Sequence, residues 1–143
     1  MTYTSYQVNT TATFKFIVSS VPFSTLWKHD AEFDSWAGFL QERDTLLAAM
    51  SSVPNVVVIS GDRHQFAAVE FNGGRVLEIS NSPLSMFYIP FVSTLNKESV
   101  QKIEKKVSKV IVNEEGVEEV VEVTEYEPQE RVIKYIPRGN YKL

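Results

Sequence analysis

The residues Val56-Val57-Val58-Ile59-Ser60 form a β-branched apolar run that ends in Gly61 and continues as Asp62-Arg63-His64. Such a run predicts a strand buried on both faces. Gly61 is expected to let the backbone turn sharply where the strand ends. Asp62 and His64 would then lie on a tight loop at the carboxyl edge of a sheet, which is where open α/β folds bind their ligands.

The segment before this run predicts a βαβ unit. Phe14 to Ser19 is apolar and partly alternating, as in a strand, and Asp34 is a suitable cap for a helix that runs to about Met50. Strand, helix and strand in this order predict a right-handed crossover between two parallel strands. One helical face is expected to be apolar and to contain Trp36, Phe39, Leu40, Leu46, Leu47 and Met50.

The segment after the run predicts antiparallel structure. Asn72-Gly73-Gly74 lies between two strand-like segments and indicates a hairpin, and an apolar loop is expected over Asn81–Phe91. The charged C-terminal third fits either an antiparallel extension or a helix followed by a hairpin, and Arg131–Ile136 is a final strand candidate. The helix alternative rests on the spacing of Val100, Ile103, Val107, Val110 and Ile111. The predicted fold class is therefore α/β, a βαβ core plus antiparallel strands.

Composition limits the possible partners and compartment. A chain of 143 residues with 43% hydrophobic content can form one domain with a modest core. Its net charge of −4 and the lack of a basic face argue against nucleic acid as a partner. Cysteine is absent, so neither disulfides nor thiolate ligands are available. We expect no membrane-spanning segment and no signal peptide, and an intracellular location is favoured.

Asp62 and His64 are the candidate metal ligands. A carboxylate and a neutral imidazole two residues apart suit zinc, iron or manganese, and the carboxylate also suits calcium or magnesium. Arg63 is a candidate catalytic residue, because a guanidinium beside a metal site can contact a phosphate oxygen through two hydrogen bonds. The alternative is structural: Asp62 accepts backbone hydrogen bonds in the turn, His64 packs, and Arg63 is an ordinary surface arginine.

Other residues invite a functional and a structural interpretation. His29 follows Trp27 on the loop after the first strand and is expected to face solvent. The aromatic residues Trp27, Trp36, Phe33 and Phe39 fit core packing better than a wall for a ligand. Glu42 and Arg43 are expected on the polar side of the helix, where a salt bridge or a tether from helix to loop explains them.

Five short segments follow one another in a characteristic order: Phe14–Phe23, Asp34–Arg43, Gly61–His64, Glu78–Leu84 and Pro137–Lys142. In this order and spacing they resemble the C-terminal part of the alkaline phosphatase D branch (PhoD-like) of the calcineurin-like metallophosphoesterases. The resemblance extends from about Phe14 to the end of the chain.

The resemblance implies one lobe of a metallophosphoesterase sandwich and metal-dependent hydrolysis of phosphate monoesters or diesters. It implies a metal-ligand role for Asp62 and His64, with zinc, iron, manganese or calcium as the cofactor if the site is complete. In the family, most metal ligands lie on loops of the N-terminal half, which we do not find in this chain. We therefore expect a truncated domain that is inactive alone, made of a polar segment (1–13), a half domain (14–95) and a charged extension (96–143).

Three functions remain open from the sequence. The chain is part of a phosphatase, or a non-catalytic binding or regulatory module that acts as an oligomer, or a plain structural domain. A half domain leaves apolar surface to be covered. We expect a homo-oligomer, most simply a dimer that buries Val56–Ile59 and the apolar face of the Trp36 helix, or pairing with a separate N-terminal half. Refolding of the C-terminal extension over that surface is the remaining alternative.

Overall fold

The computed structural model describes residues 11–29, 33–81, 94–113 and 116–137. Most of the apolar loop expected over Asn81–Phe91 and most of the Pro137–Lys142 segment lie outside these residues. No helix within the described part of the chain has the length and apolarity needed to cross a membrane. The elements are β1 (Lys15–Val18), a 3₁₀ helix (Trp36–Gly38), α1 (Leu40–Ser51), β2 (Val56–Ser60), β3 (Phe66–Phe71), β4 (Val76–Ser80), β5 (Lys102–Val112), β6 (Glu118–Pro128) and β7 (Glu130–Ile136).

Five of these strands form one mixed sheet in the order β1-β2-β4-β3-β7. Strands β1, β2 and β4 are parallel, whereas β3 is antiparallel to both of its neighbours. The α/β fold class and the parallel β1-α1-β2 unit are therefore confirmed. The hairpin predicted at Asn72-Gly73-Gly74 is also confirmed, and all three turn residues have the positive φ that favours asparagine and glycine.

The helix begins later than Asp34, the cap predicted from the sequence. The Ser35 hydroxyl accepts a hydrogen bond from the Ala37 amide at 3.2 Å and caps a 3₁₀ turn instead. Phe39 then leaves helical geometry, with φ of −129° and ψ of 49°, before α1 starts at Leu40. The predicted apolar face is correct for Leu47 and Met50, which are buried, but the side chains of Phe39 and Leu40 are more than half exposed.

The helix alternative for the C-terminal third is wrong, and the antiparallel alternative is correct. Residues Lys102–Val112 form β5, which pairs with β6 along its whole length. Ile103, Val107 and Ile111 are four residues apart, a spacing that places them on one face of a strand as well as on one face of a helix. β-branched side chains paired across strands, such as Val107 with Val123, favour the sheet.

The core lies on one face of the five-stranded sheet, under α1 and the loop that follows β1. Val56 and Val58 of β2 are buried on this face, whereas Val57 and Ile59 on the other face are only half-buried. Burial of β2 on both faces, as predicted from the apolar run, is thus not observed in full. The dimer expected to bury Val56–Ile59 stays a prediction; within the chain itself Val56 and Val58 are already buried.

Candidate metal-binding loop at the carboxyl end of β2

The loop Gly61–His64 begins where β2 ends, next to the end of the parallel strand β4 at Ser80. The Arg63 amide donates to the Gly61 carbonyl at 3.0 Å, so the chain reverses tightly around Asp62. Asp62 has φ of 76°, which is the value of the rare and strained form of the γ-turn. Glycine was expected to supply the unusual conformation, but Gly61 does not have a positive φ.

His64 has a left-handed backbone as well, with φ of 58°. Backbone strain of this kind costs about 1–3 kcal/mol per residue and clusters at functional sites. Aspartate and histidine tolerate positive φ better than most residues, which lowers the cost here. Asp62 and His64 are the two non-glycine residues with positive φ in this loop, within a stretch of three residues.

The side chains of Asp62 and His64 are exposed at this edge of the sheet. Neither makes a hydrogen bond or an ion pair with the rest of the described chain. The structural alternative required Asp62 to accept bonds within the turn and His64 to pack against the protein. Neither arrangement occurs within the described residues, so both side chains are available to a ligand from solvent.

Arg63 turns back onto the protein between these two residues. Its guanidinium lies 5.6 Å from the centre of the Trp27 ring and donates to the Lys28 carbonyl at 3.2 Å. These contacts hold the guanidinium against the protein, so Arg63 is not an ordinary surface arginine. Its contacts join the Gly61–His64 loop to Trp27 and Lys28 on the loop that follows β1. His29, the next residue, is exposed, as expected, and has φ of 65°.

The donor set of the loop suits a metal only in part. An aspartate oxygen and an imidazole nitrogen are appropriate ligands for zinc, iron or manganese. Within the described residues, no three or more side chains of His, Asp or Glu lie close enough together to hold one ion. The metal-ligand role of Asp62 and His64 and the catalytic role of Arg63 therefore stay predictions.

Glu78 is a buried carboxylate for which the sequence predicted no role. It holds the loop after β1 by accepting the amides of Phe23 at 2.7 Å and Ser24 at 2.9 Å. The Ser60 hydroxyl, on the last residue of β2, donates to the same carboxylate at 2.6 Å. Burial raises the pKa of Glu78 above its ordinary value, although these hydrogen bonds oppose the shift.

Glu130 holds the next residues of the same loop. It accepts hydrogen bonds from the Ser24 hydroxyl at 2.7 Å, the Thr25 amide at 2.9 Å and the Thr25 hydroxyl at 2.7 Å. The Arg43 guanidinium pairs with this carboxylate and donates to the Phe23 carbonyl at 2.8 Å. Arg43 is completely buried between the rings of Phe23 and Phe71, not on the polar side of the helix where it was expected.

These contacts form a buried polar network around Phe23-Ser24-Thr25. It fixes the start of the loop that continues through Trp27 and Lys28 to the contact with Arg63. The network therefore positions one of the two loops at the candidate site and touches neither Asp62 nor His64. One signal in the sequence pointed to it: Glu78 occupies a core-facing position of an alternating strand, between the buried residues Val76 and Ser80.

The aromatic residues divide into two groups. Trp27 is buried, and the Trp36 ring packs against that of Phe23 in a tilted arrangement with 5.7 Å between ring centres, so core packing is confirmed for both tryptophans. The prediction is wrong for Phe33 and Phe39, which are 90% and 63% exposed. These two phenylalanines instead line a groove beside β1.

Comparison with known proteins gives one family. A family model described as PhoD-like phosphatase matches residues 4–130. None of the curated proteins matches the chain. A solved structure titled "Structure of PhoD" is 12% identical, superposes with a TM-score of 0.48, and is matched over 92% of this chain and 33% of that chain. This chain thus spans about a third of the length of that solved chain.

Proposed function

The chain belongs to the PhoD-like phosphatase family, and from this premise we propose that it supplies one ligand loop of a metal-dependent phosphate ester hydrolase. Asp62 and His64 are the proposed ligands. The observation that carries the proposal is the strained γ-turn, which presents both side chains to solvent at the carboxyl end of a parallel strand.

Each residue of the loop has a distinct proposed task. Asp62 offers a carboxylate oxygen and His64 a ring nitrogen to zinc, iron, manganese or, through the carboxylate, calcium. The metal ions, when bound, supply Lewis acidity toward the phosphoryl group and the attacking water. Arg63 braces the loop against Trp27 and the Lys28 carbonyl, which keeps the neighbouring loops at a fixed separation.

We further propose that the chain by itself does not turn over phosphate esters. Stabilising charge on both the entering and the leaving oxygen requires two metal ions. The loop offers two side chains, whereas each ion in such a centre needs about four protein or solvent ligands. In this proposal the other metal ligands come from residues outside the Gly61–His64 loop. The loop contributes two ligands, Asp62 and His64.

A phosphatase assay tests this proposal. The purified chain is incubated with p-nitrophenyl phosphate and with the bis-ester, in separate reactions with zinc, manganese, iron or calcium. We expect no metal-dependent turnover above that of Asp62→Asn. Turnover that persists through repeated purification and disappears in Asp62→Asn would show that the chain alone is a complete enzyme.

A second candidate function is a non-catalytic module that acts through assembly. The observation that favours it is the edge of β1, which no strand of the described residues covers, next to the groove that Phe33 and Phe39 line. This candidate needs no metal at Asp62 or His64. Sedimentation analysis separates it from a plain structural domain, because only the assembling module forms a concentration-dependent oligomer.

A further inference from the structure

Among the residues that the structure describes, strand β1 is an unpaired edge of the five-stranded sheet. The Lys15 amide donates to the Asn55 carbonyl at 3.0 Å. The amide of Ser19, the residue after β1, donates to the Ile59 carbonyl at 2.9 Å, so both point toward β2. Since backbone groups alternate in direction along a strand, those of Phe16 and Val18 point away from β2. No strand within the described residues pairs with them. At the other edge, by contrast, residues 97–99 partly cover β7 through bonds to Glu130 and Val132.

The surface around the β1 edge is apolar. Phe16 and Val18 are 60% and 79% exposed on one side of the strand. On the other side lies the groove, about 740 Å³ in volume, between β1, the 3₁₀ helix and α1. Ile17, Trp36, Phe39, Leu46 and Met50 contribute to its apolar lining. Native edge strands are usually protected by charge, bulges or covering segments, and β1 has no such protection among the described residues.

The charged residues of the groove are not equivalent. The Lys15 ammonium is buried and donates to the carbonyls of Ala12 and Pro54, at 2.9 and 3.3 Å. Asp34 and Glu42 are exposed at the rim. The groove therefore presents an apolar floor and an acidic rim to an incoming segment.

The β5–β6 hairpin, which we call the arm, is a second unpartnered element of the chain. Its strands pair only with each other in the described structure. At 11 residues per strand the arm is roughly 35 Å long. Its distal end exposes Val110, Ile111, Val112 and Val120. A two-stranded hairpin is only marginally stable in water unless it packs against another apolar surface. Within the described residues, the strands of the arm have no such surface beside them.

The two strands of the arm carry opposite charge. Strand β5 contains four lysines and one glutamate, whereas β6 contains five glutamates. Lys106 and Lys109 lie next to the distal valines, and their ion pairs with Glu122 and Glu125 are exposed. Exposed pairs of this kind contribute little, so they are readily exchanged for new partners. Strand β5 thus combines an apolar end with basic charge, which complements the apolar floor and acidic rim of the groove.

We propose that two copies of the chain form a two-fold dimer in which β5 of each arm adds to the β1 edge of the other copy. The distal valines would cover the groove, and Lys106, which lies on the same face of the arm as Val110 and Val112, would approach Asp34 and Glu42. One symmetric exchange then pairs the β1 edge and the outer edge of β5 in each copy. Strand β6 is a poor alternative, because its glutamates would face the acidic rim. This proposal is independent of the metal chemistry at the Gly61–His64 loop.

Two charge-reversed proteins test the exchange. The rim variant carries Asp34→Lys and Glu42→Lys. The arm variant carries Lys106→Glu, Glu122→Lys, Lys109→Glu and Glu125→Lys, which swaps the cross-strand pairs and so preserves the ion pairs within the arm. All six side chains are exposed. Circular dichroism melts are to be used to check that each variant folds. Sedimentation equilibrium then measures self-association of the wild type, of each variant and of an equimolar mixture.

We expect the wild type to dimerise and each variant alone to associate at least about tenfold more weakly, because like charges then meet at both contacts. The mixture should form a heterodimer with wild-type affinity, since each groove again meets an arm of opposite charge. A monomeric wild type would overturn the proposal. A dimer that the arm variant forms as tightly as the wild type would also overturn it, and would indicate direct pairing of β1 with β1 or contact through the open face of the sheet.

Discussion

The guanidinium of Arg43 and the carboxylate of Glu130 form an ion pair across 87 residues of sequence, and each side chain is only 1% exposed. The pair joins the start of α1 to the last strand of the sheet. Through Ser24 and Thr25 it also fixes the loop that leads toward the candidate site. A buried pair of this kind is costly to break, because the remaining charge is left in an apolar environment.

Replacement of Arg43 by methionine should therefore destabilise the protein strongly. We expect the free energy of unfolding to fall by about 3–5 kcal/mol, the range for removal of one partner from a buried ion pair. Arg131→Met is the matched control, because Arg131 pairs with Glu70 but is 60% exposed, and its loss should cost about 1 kcal/mol or less. Urea unfolding of both variants makes the comparison, and equal losses would contradict the assigned role of the network.

Glu78 should make stability depend on pH in the direction opposite to an ordinary paired carboxylate. Burial raises the pKa of Glu78 in the folded state above its value in the unfolded chain, so the folded state binds the proton more tightly. The stability that protonated Glu78 contributes is fully present below the pKa that Glu78 has in the unfolded chain. It is lost as pH rises through the higher pKa that Glu78 has in the folded state. Glu130, which is nearby and acidic, raises the pKa further.

The variant Glu78→Gln isolates this effect from the titration of other groups. The difference in unfolding free energy between wild type and Glu78→Gln should grow in favour of the wild type as pH falls from neutral toward 4.5, the ordinary pKa of a glutamate. Urea unfolding at a series of pH values measures the difference. A difference that is constant, or that shrinks on acidification, would show that Glu78 is not held with a raised pKa.

Asp62→Gly should stabilise the fold while it removes the candidate ligand. Glycine adopts a φ of 76° without the strain that aspartate bears there. Glycine also gives the unfolded chain more conformational entropy, which offsets part of this relief. We expect the free energy of unfolding to rise by roughly 0.5–1 kcal/mol. Asp34→Gly, at an exposed aspartate whose φ is not positive, should give no gain. A loss of stability in Asp62→Gly would mean that the carboxylate contributes to the fold itself.

The sequence predicted the βαβ unit and the β3–β4 hairpin because local signals and tertiary structure agree there. Apolar runs and turn residues at Asn72-Gly73-Gly74 fix both features within short stretches. The C-terminal third left two alternatives, since the spacing of Ile103, Val107 and Ile111 fits a helix and a strand. Only the pairing with β6, a contact between distant residues, decides between them.

At the candidate site, too, local sequence patterns predicted some features, whereas others depend on contacts between distant residues. Asp62 and His64 stand out in the sequence because they directly follow a strand, but the strained γ-turn that presents them is a tertiary property. Arg43 was expected on the polar side of the helix, in a salt bridge or a tether to a loop; it makes both contacts, but from within the core. Its partner Glu130 lies on the last strand, beyond any local pattern, so the buried network was not predictable from the spacing of nearby residues.

Calorimetric titration of the chain with zinc, manganese and iron tests most directly whether the Gly61–His64 loop is part of a metal site. We expect weak binding, with a Kd of about 10⁻⁴–10⁻³ M as in the weakest natural cation sites. Binding should be lost in Asp62→Asn and in His64→Ala and retained in Asp34→Asn, a control at an exposed aspartate on the groove rim. No heat with any of the three metals, or equal heat in all three variants, would contradict the account.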